Sequence, residues 1–83
     1  MNVVFSKSAL RSLEKLEKAI QKRIVDKTEF YFSQKNFLSH AEKMKDTRFG
    51  QWRLRIGDYR VLFDVEKGCA FILKIGHRRK VYK

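Results

Sequence analysis

Ile72-Leu-Lys-Ile-Gly-His-Arg-Arg-Lys-Val-Tyr-Lys83 carries an apolar strand pattern into Gly76, then an imidazole, three cations and a phenol. Arg78, Arg79 and Lys80 offer the donors that phosphate oxygens accept, and guanidinium offers them as a planar fork. Tyr82 adds a ring that can stack on a base. Upstream, Arg53, Arg55 and Arg60 interleave with Trp52, Leu54, Ile56 and Tyr59. The chemistry these types suggest is contact with phosphate.

Bulk charge agrees. Twenty Lys and Arg against nine Asp and Glu give a net charge of +11 and a pI near 10.2. Such a balance attracts polyanions at long range, so nucleic acid or an acidic protein is the expected partner. Residues 74–83 hold Lys74, Arg78, Arg79, Lys80 and Lys83 and no acid, so the charge is concentrated as well as spread.

Eighty-three residues make one domain, 1–83, with a single small core. The chain has no Pro and four Gly, and nothing in it reads as a linker, a repeat or a low-complexity tract. The N-terminus lacks the basic region and apolar run of a signal peptide, and no stretch approaches the roughly 20 apolar residues of a membrane span. The single Cys69 cannot form an internal disulfide and reads as a free thiol of a cytoplasmic protein. His40, His77, one Cys and scattered acids show no metal-ligand spacing, so no metal and no cofactor is expected. Neither a phosphate-cradling Gly-rich loop nor a nucleophile–His–acid arrangement can be argued.

These residues need elements to hold them. Asn2 to Phe5 reads as a strand, with Ser6 or Ser8 to cap the helix after it. Leu10, Leu13, Leu16 and Ile20 recur at three- and four-residue spacing and predict an amphipathic helix with these residues in the core. Residues 7–33 form one long helix or an αα-hairpin bent near Glu17–Ala19. Ser33 to His40 reads as a loop and Met44 to Arg48 as a weak strand. Trp52 to Ile56, Tyr59 to Val65 and Cys69 to Ile75 come next as strands. The order β-α-α-β-β-β predicts an α+β fold: a mostly antiparallel four-stranded sheet with an N-terminal helical hairpin on one face.

Register sharpens the reading. With Gly57-Asp58 as a type II′ turn, Ile56 faces Tyr59, Leu54 faces Val61 and Trp52 faces Phe63, all toward the helices. The other face receives Arg53 opposite Leu62 and Arg55 directly opposite Arg60. Like charges opposed across a ladder destabilise a sheet. The pair therefore has a reason outside folding or is relieved by a bound anion.

Trp52-Arg-Leu-Arg-Ile-Gly-Asp-Tyr-Arg-Val-Leu-Phe63, followed by Ile75-Gly-His-Arg-Arg-Lys-Val-Tyr82, resembles the RelE/ParE superfamily of toxins of type II toxin–antitoxin modules. The likeness covers essentially the whole chain, and the ending is closest to the RelE branch. It favours the helical hairpin over one long helix. It implies a ribosome-dependent mRNA endonuclease that cuts the A-site codon without metal, by attack of the 2′-hydroxyl on the adjacent phosphate. Translation inhibition is the implied outcome. Carried over by position, Arg60 and Arg78 would stabilise the phosphorane, Tyr82 would stack on a base, and Arg53 and Arg55 would hold the backbone. Arg79, Lys80 and Lys74 would add phosphate contacts. The founding toxin has lysines at the positions of Arg53 and Arg55. Arginine cannot be deprotonated, so His77 or Tyr82 is expected to move protons. Implied partners are a cognate antitoxin, the ribosome with its mRNA, and operator DNA only as a complex with antitoxin. The tail after the last strand is expected to stay mobile until it meets antitoxin or ribosome. Two other readings arise from the same likeness: a ParE-like inhibitor of DNA gyrase, and an inactive member that only binds antitoxin.

Overall fold

Ser6 joins the two halves of the fold. Its backbone N–H donates to Ile72 O at 2.9 Å and its hydroxyl donates to Leu73 O at 3.1 Å. The same hydroxyl oxygen accepts from the Ala9 N–H at 3.0 Å, the bond of a helix N-cap. One side chain thus starts the first helix and ties it to the last strand. The computed structural model describes residues 1–82.

Strand β1 (Asn2–Phe5) leads into helices α1 (Lys7–Glu14) and α2 (Lys18–Phe32), then strands β2 (Ala41–Lys43), β3 (Trp52–Ile56), β4 (Tyr59–Glu66) and β5 (Cys69–His77). The helical stretch is a hairpin, broken at Lys15–Glu17, where the Gln21 amide donates to Leu16 O at 2.7 Å. The sheet has the order β1-β5-β4-β3-β2, parallel between β1 and β5 and antiparallel elsewhere. It holds five strands where four were expected, because a short strand at Ala41–Lys43 pairs with β3. That strand lies just before Met44–Arg48, where the pattern had placed a weak one. Phe37–His40, read as loop, forms a short 3₁₀ turn whose His40 stacks on Tyr31 with ring centroids 5.0 Å apart.

The helices cover one sheet face. Ala9, Leu13, Ile24 and Phe32 pack on Leu54, Ile56, Val61, Phe63, Ala70, Ile72 and Ile75. A fully buried side chain of this size contributes roughly 1.5–3 kcal/mol, so this layer dominates the stability. Leu10 departs from the expected stripe and is 42% exposed. With α1 starting at Lys7, the inward pair is Ala9 and Leu13, four residues apart, and Leu10 falls outside it.

Two backbone features place the opposite face. Gly57 adopts φ +59° and Asp58 stays at negative φ, as a type II′ hairpin requires. The predicted register is the observed one, Arg55 opposite Arg60 included. In β5 the pairing steps from Leu62↔Lys74 to Phe63↔Ile72, leaving Leu73 as an extra residue. This bulge lets Ile72 and Ile75 both face the helices, which strict alternation forbids. It also turns Lys74 and Gly76 toward the arginine face.

Ser6→Ala removes the cap and the tie to the bulge together. We expect a loss of about 1–2 kcal/mol. It should appear in urea unfolding as a lower midpoint at unchanged slope. An unchanged midpoint would show that Ser6 does not join the layers.

Candidate nucleic-acid interface

The face away from the helices opens into a cleft of about 360 Å³ lined by Arg53, Arg55, Arg60, Arg78, Arg79 and Tyr82. Three elements supply it: β3, β4 and the turn after β5. The register of the hairpin accounts for Arg53, Arg55 and Arg60. The tail needs a further device.

That device is Val81 against Gly76. After β5 the chain folds back, with the Lys80 and Val81 N–H groups both donating to His77 O, at 2.8 and 2.9 Å. Val81 becomes 4% exposed, and a Cβ on Gly76 would stand 3.4 Å from the Val81 Cβ. Val81 packs directly over Gly76, at a distance that an added Cβ would meet as ordinary van der Waals contact. Tyr82 then reaches Arg53, whose Nη1 donates to the phenol oxygen at 3.0 Å. The tail expected to be mobile is therefore packed down through Tyr82. The Arg78 N–H donates to Asp58 O at 2.7 Å, fastening the tail to the central turn.

Five guanidinium groups in one cleft need relief. Two unit charges about 6 Å apart repel by roughly 3 kcal/mol at an effective dielectric near 20, more than a good cross-strand pair returns. Two contacts answer this. Arg60 is 6% exposed, and its Nη1 donates to the carbonyls of Gly57 and Tyr59, both at 2.9 Å. Those carbonyls fix the plane of its fork against the turn. Glu42, opposite Arg53 on β2, accepts from Arg53 Nη2 at 3.0 Å and lies 3.6 Å from Arg55 Nε. The Arg53 hydrogen bond, with the charges of Arg53, Arg55 and Arg60, holds the Glu42 carboxyl below its ordinary value, against the opposing effect of burial. The same bond, with that from Tyr82, raises Arg53.

Glu42 is the member that sequence reasoning missed. It is the sole acid between Glu29 and Asp46, which is a faint signal. Only the pairing of Ala41–Lys43 with β3 brings it to the arginines. Part of the relief expected from a bound anion is thus internal.

His77 and Lys80 lie elsewhere, whereas Lys74 keeps to the arginine face outside the cleft. His77 and Lys80 line a larger groove of about 640 Å³ between α1 and the end of β5, with Arg79 shared between it and the cleft. The His77 ring meets Tyr59 edge-on, with centroids 5.6 Å apart, and its Nδ1 accepts from the Arg79 N–H at 3.2 Å. Lys74 Nζ stands 4.0 Å over the Phe49 ring. Among the described residues no group of three or more His, Cys, Asp or Glu could hold a metal ion, and no helix is long and apolar enough to cross a membrane.

Known proteins share this fold. The family model for the ParE toxin of the type II toxin–antitoxin system parDE matches residues 3–82. The chain is similar to a structure of the toxin–antitoxin complex RelBE2 from Mycobacterium tuberculosis, with 26% identity and TM-score 0.81 over 93% of this chain and 90% of that one. The archaeal RelE–RelB complex from Pyrococcus horikoshii OT3 gives 24% and 0.73 over 96% and 97%. The isolated E. coli RelE toxin gives 16% and 0.71 over 92% and 82%. No curated protein sequence matches significantly. The chain belongs to the RelE/ParE superfamily and is a toxin of a type II toxin–antitoxin system.

The lowered Glu42 carboxyl has a pH consequence. Its folded value lies below its unfolded one, so its contribution is complete above about pH 4.5 and is lost as pH falls through the folded value. Glu42→Gln should therefore melt lower than wild type near neutrality, with the gap narrowing below pH 4.5. A gap constant across that range would show that the carboxylate is not held by the arginines.

Proposed function

We propose that this toxin is a metal-independent, ribosome-dependent mRNA endonuclease that cleaves within the A-site codon. The observation that supports this reading best is the single cleft joining Arg53, Arg55, Arg60, Arg78, Arg79 and Tyr82. In the reaction the 2′-oxygen bonds to the adjacent phosphorus, its proton leaves to a base, and the bond to the 5′-oxygen breaks. The 5′-oxygen takes a proton, and the products end in a 2′,3′-cyclic phosphate and a 5′-hydroxyl.

Negative charge grows on the phosphoryl oxygens as the phosphorane forms. Fixed cations already aimed at that charge lower the barrier without reorganising. Arg60, held by two carbonyls, and Arg78, fastened by its backbone to Asp58, fill this role. Arg53 and Arg55 hold the flanking backbone, and Arg79 adds a further cation. Lys74, over Phe49, and Lys80, in the neighbouring groove, extend the basic surface toward ribosomal RNA.

Proton transfer was expected of His77 or Tyr82. Tyr82 lines the cleft, whereas His77 lines the other groove and braces the turn through Arg79. Tyr82 accepts from Arg53 and keeps its own proton to give to the leaving oxygen, and its ring can stack on a base. Glu42, bonded to Arg53 and near Arg55, offsets part of the charge of those two guanidinium groups. Of the two candidates, Tyr82 is the one that lines the cleft and can give a proton to the leaving oxygen.

The cellular setting comes from the class. The partner that restrains such a toxin is a cognate antitoxin, as in the RelBE2 and RelE–RelB complexes it resembles. The site of action is the cytoplasm, and operator DNA is bound by the toxin–antitoxin complex. A second reading is inhibition of DNA gyrase, favoured by the ParE name of the matching family model. Against it stand Arg78 and Tyr82 within the cleft, which gyrase inhibition does not require.

Primer extension on message bound to purified ribosomes tests the reading. Cuts within the A-site codon, absent without ribosomes, are expected. Arg60→Ala and Arg78→Ala should each slow cleavage at least tenfold, about 1.4 kcal/mol of barrier, with the fold retained by circular dichroism. His77→Ala should slow it less than either. Intact message together with blocked gyrase supercoiling would replace this reading with the second.

A further inference from the structure

Phe49 stands on the arginine face and takes no part in the nuclease reading. Leu62 turns away from the helices, between its ladder partners Arg53 and Lys74, and is nevertheless 0% exposed. The loop from Met44 to Gln51 folds back over this row. Lys74 Nζ lies 4.0 Å from the centroid of the Phe49 ring, and the guanidinium carbon of Arg48 lies 5.9 Å from it. Phe49 is half-buried, so part of it still meets solvent.

The loop is built to hold that side chain in place. Gly50 has φ +136°, and a Cβ there would stand 3.0 Å from Phe63 N and 3.1 Å from Phe63 O, so no side chain fits between the loop and β4. The Met44 N–H donates to Gln51 O at 2.9 Å and closes the loop. The Gln51 N–H donates to Asp64 Oδ1 at 2.7 Å and fastens it to β4. Asp46 accepts from the Arg48 N–H at 3.0 Å and from Arg48 Nη2 at 2.7 Å, which fixes the residue before Phe49.

Any apolar side chain would cover Leu62. A half-exposed ring among cations is the composition on which bases stack. Its place fits as well. Leu62 and Lys74 lie two residues along their strands from Arg60 and Gly76, roughly 7 Å from the row that holds Arg55 and Arg60. Arg53 lines both the arginine cleft and a hollow of about 300 Å³ against residues 43–46, so the cleft continues toward this loop. A base can take the ring although an ammonium already lies on it. Stacking outweighs a cation–π contact at an exposed site, and an entering phosphate gives the ammonium a stronger partner.

We infer that Phe49, with Lys74 at its face, is a nucleobase subsite: the base of a nucleotide next to the one in the arginine cleft stacks on the Phe49 ring while Lys74 takes the phosphate. The inference rests on the reading that the cleft holds a nucleic-acid backbone, and not on cleavage. Purines, with the larger face, are preferred there.

Fluorescence anisotropy at low salt tests this on the whole chain. The probes are an end-labelled pentamer of deoxyadenylate, which has no 2′-hydroxyl and stays uncut, and the same sugar–phosphate chain without bases. The chain with bases should bind more tightly. Phe49→Leu should weaken it at least about fivefold and change the base-free chain less than about twofold. Phe49→Tyr should restore the wild-type affinity, and a melting temperature well above that of the assay confirms the fold of each variant. The inference is overturned if Phe49→Leu leaves adenylate binding unchanged, if it weakens both chains equally, or if Phe49→Tyr binds no better than Phe49→Leu. Arg60→Ala separates the two claims, since it should weaken both chains. Unchanged binding of both by Arg60→Ala would remove the cleft as the backbone site and overturn the nuclease reading, while stacking at Phe49 stood or fell on its own result.

Discussion

The arrangement depends on one unfavourable contact, Arg55 directly opposite Arg60 across the β3–β4 ladder. The turn that creates it is fixed by Gly57, and the six apolar residues facing the helices lock the register. A one-residue slip would move Trp52, Leu54 and Ile56 out of the core, so burial of several kcal/mol overrides a repulsion of a few. The sheet therefore holds two guanidinium groups together that would otherwise separate. Around them the molecule supplies carbonyls for Arg60 and a carboxylate for Arg55 and Arg53. A phosphate entering such a cleft meets charges already gathered, and the cost of gathering them was met in folding.

Legibility in the sequence tracked the physics of each element. The β3–β4 register could be read because one Gly-Asp turn and strict alternation leave a single solution. The arginine face came with it, and the tail motif brought Arg78 and Tyr82. The bulge at Leu73 was not legible by alternation alone, although Ile72 and Ile75, three apart and both apolar, are its trace. Glu42 was missed because a three-residue strand has too little pattern to reveal its pairing. The seat of Val81 on Gly76 was missed for a similar reason: a lone valine among cations looks like surface until the tail is folded back.

The fold-back after β5 separates two surfaces that the sequence had merged. His77, Lys74 and Lys80 lie close in the chain to Arg78 and Tyr82, so the tail reads as one basic site. In the fold, the turn after β5 divides it. Arg78 and Tyr82 go to the arginine face, and His77 goes with Lys80 to the groove beside α1, where Arg79 is shared. Of the two residues expected to move protons, Tyr82 lines the arginine cleft and His77 lines the other groove.

The most direct test of the central claim alters the substrate and leaves the protein untouched. Ribosome-bound message can carry a single 2′-deoxy nucleotide at the position whose 2′-oxygen would attack. The account predicts that cleavage at that bond disappears while the cleft remains occupied, because the nucleophile is gone. Cleavage at the same bond and rate would mean that the nucleophile comes from elsewhere, and the arginine cleft would not be the site of a 2′-hydroxyl attack.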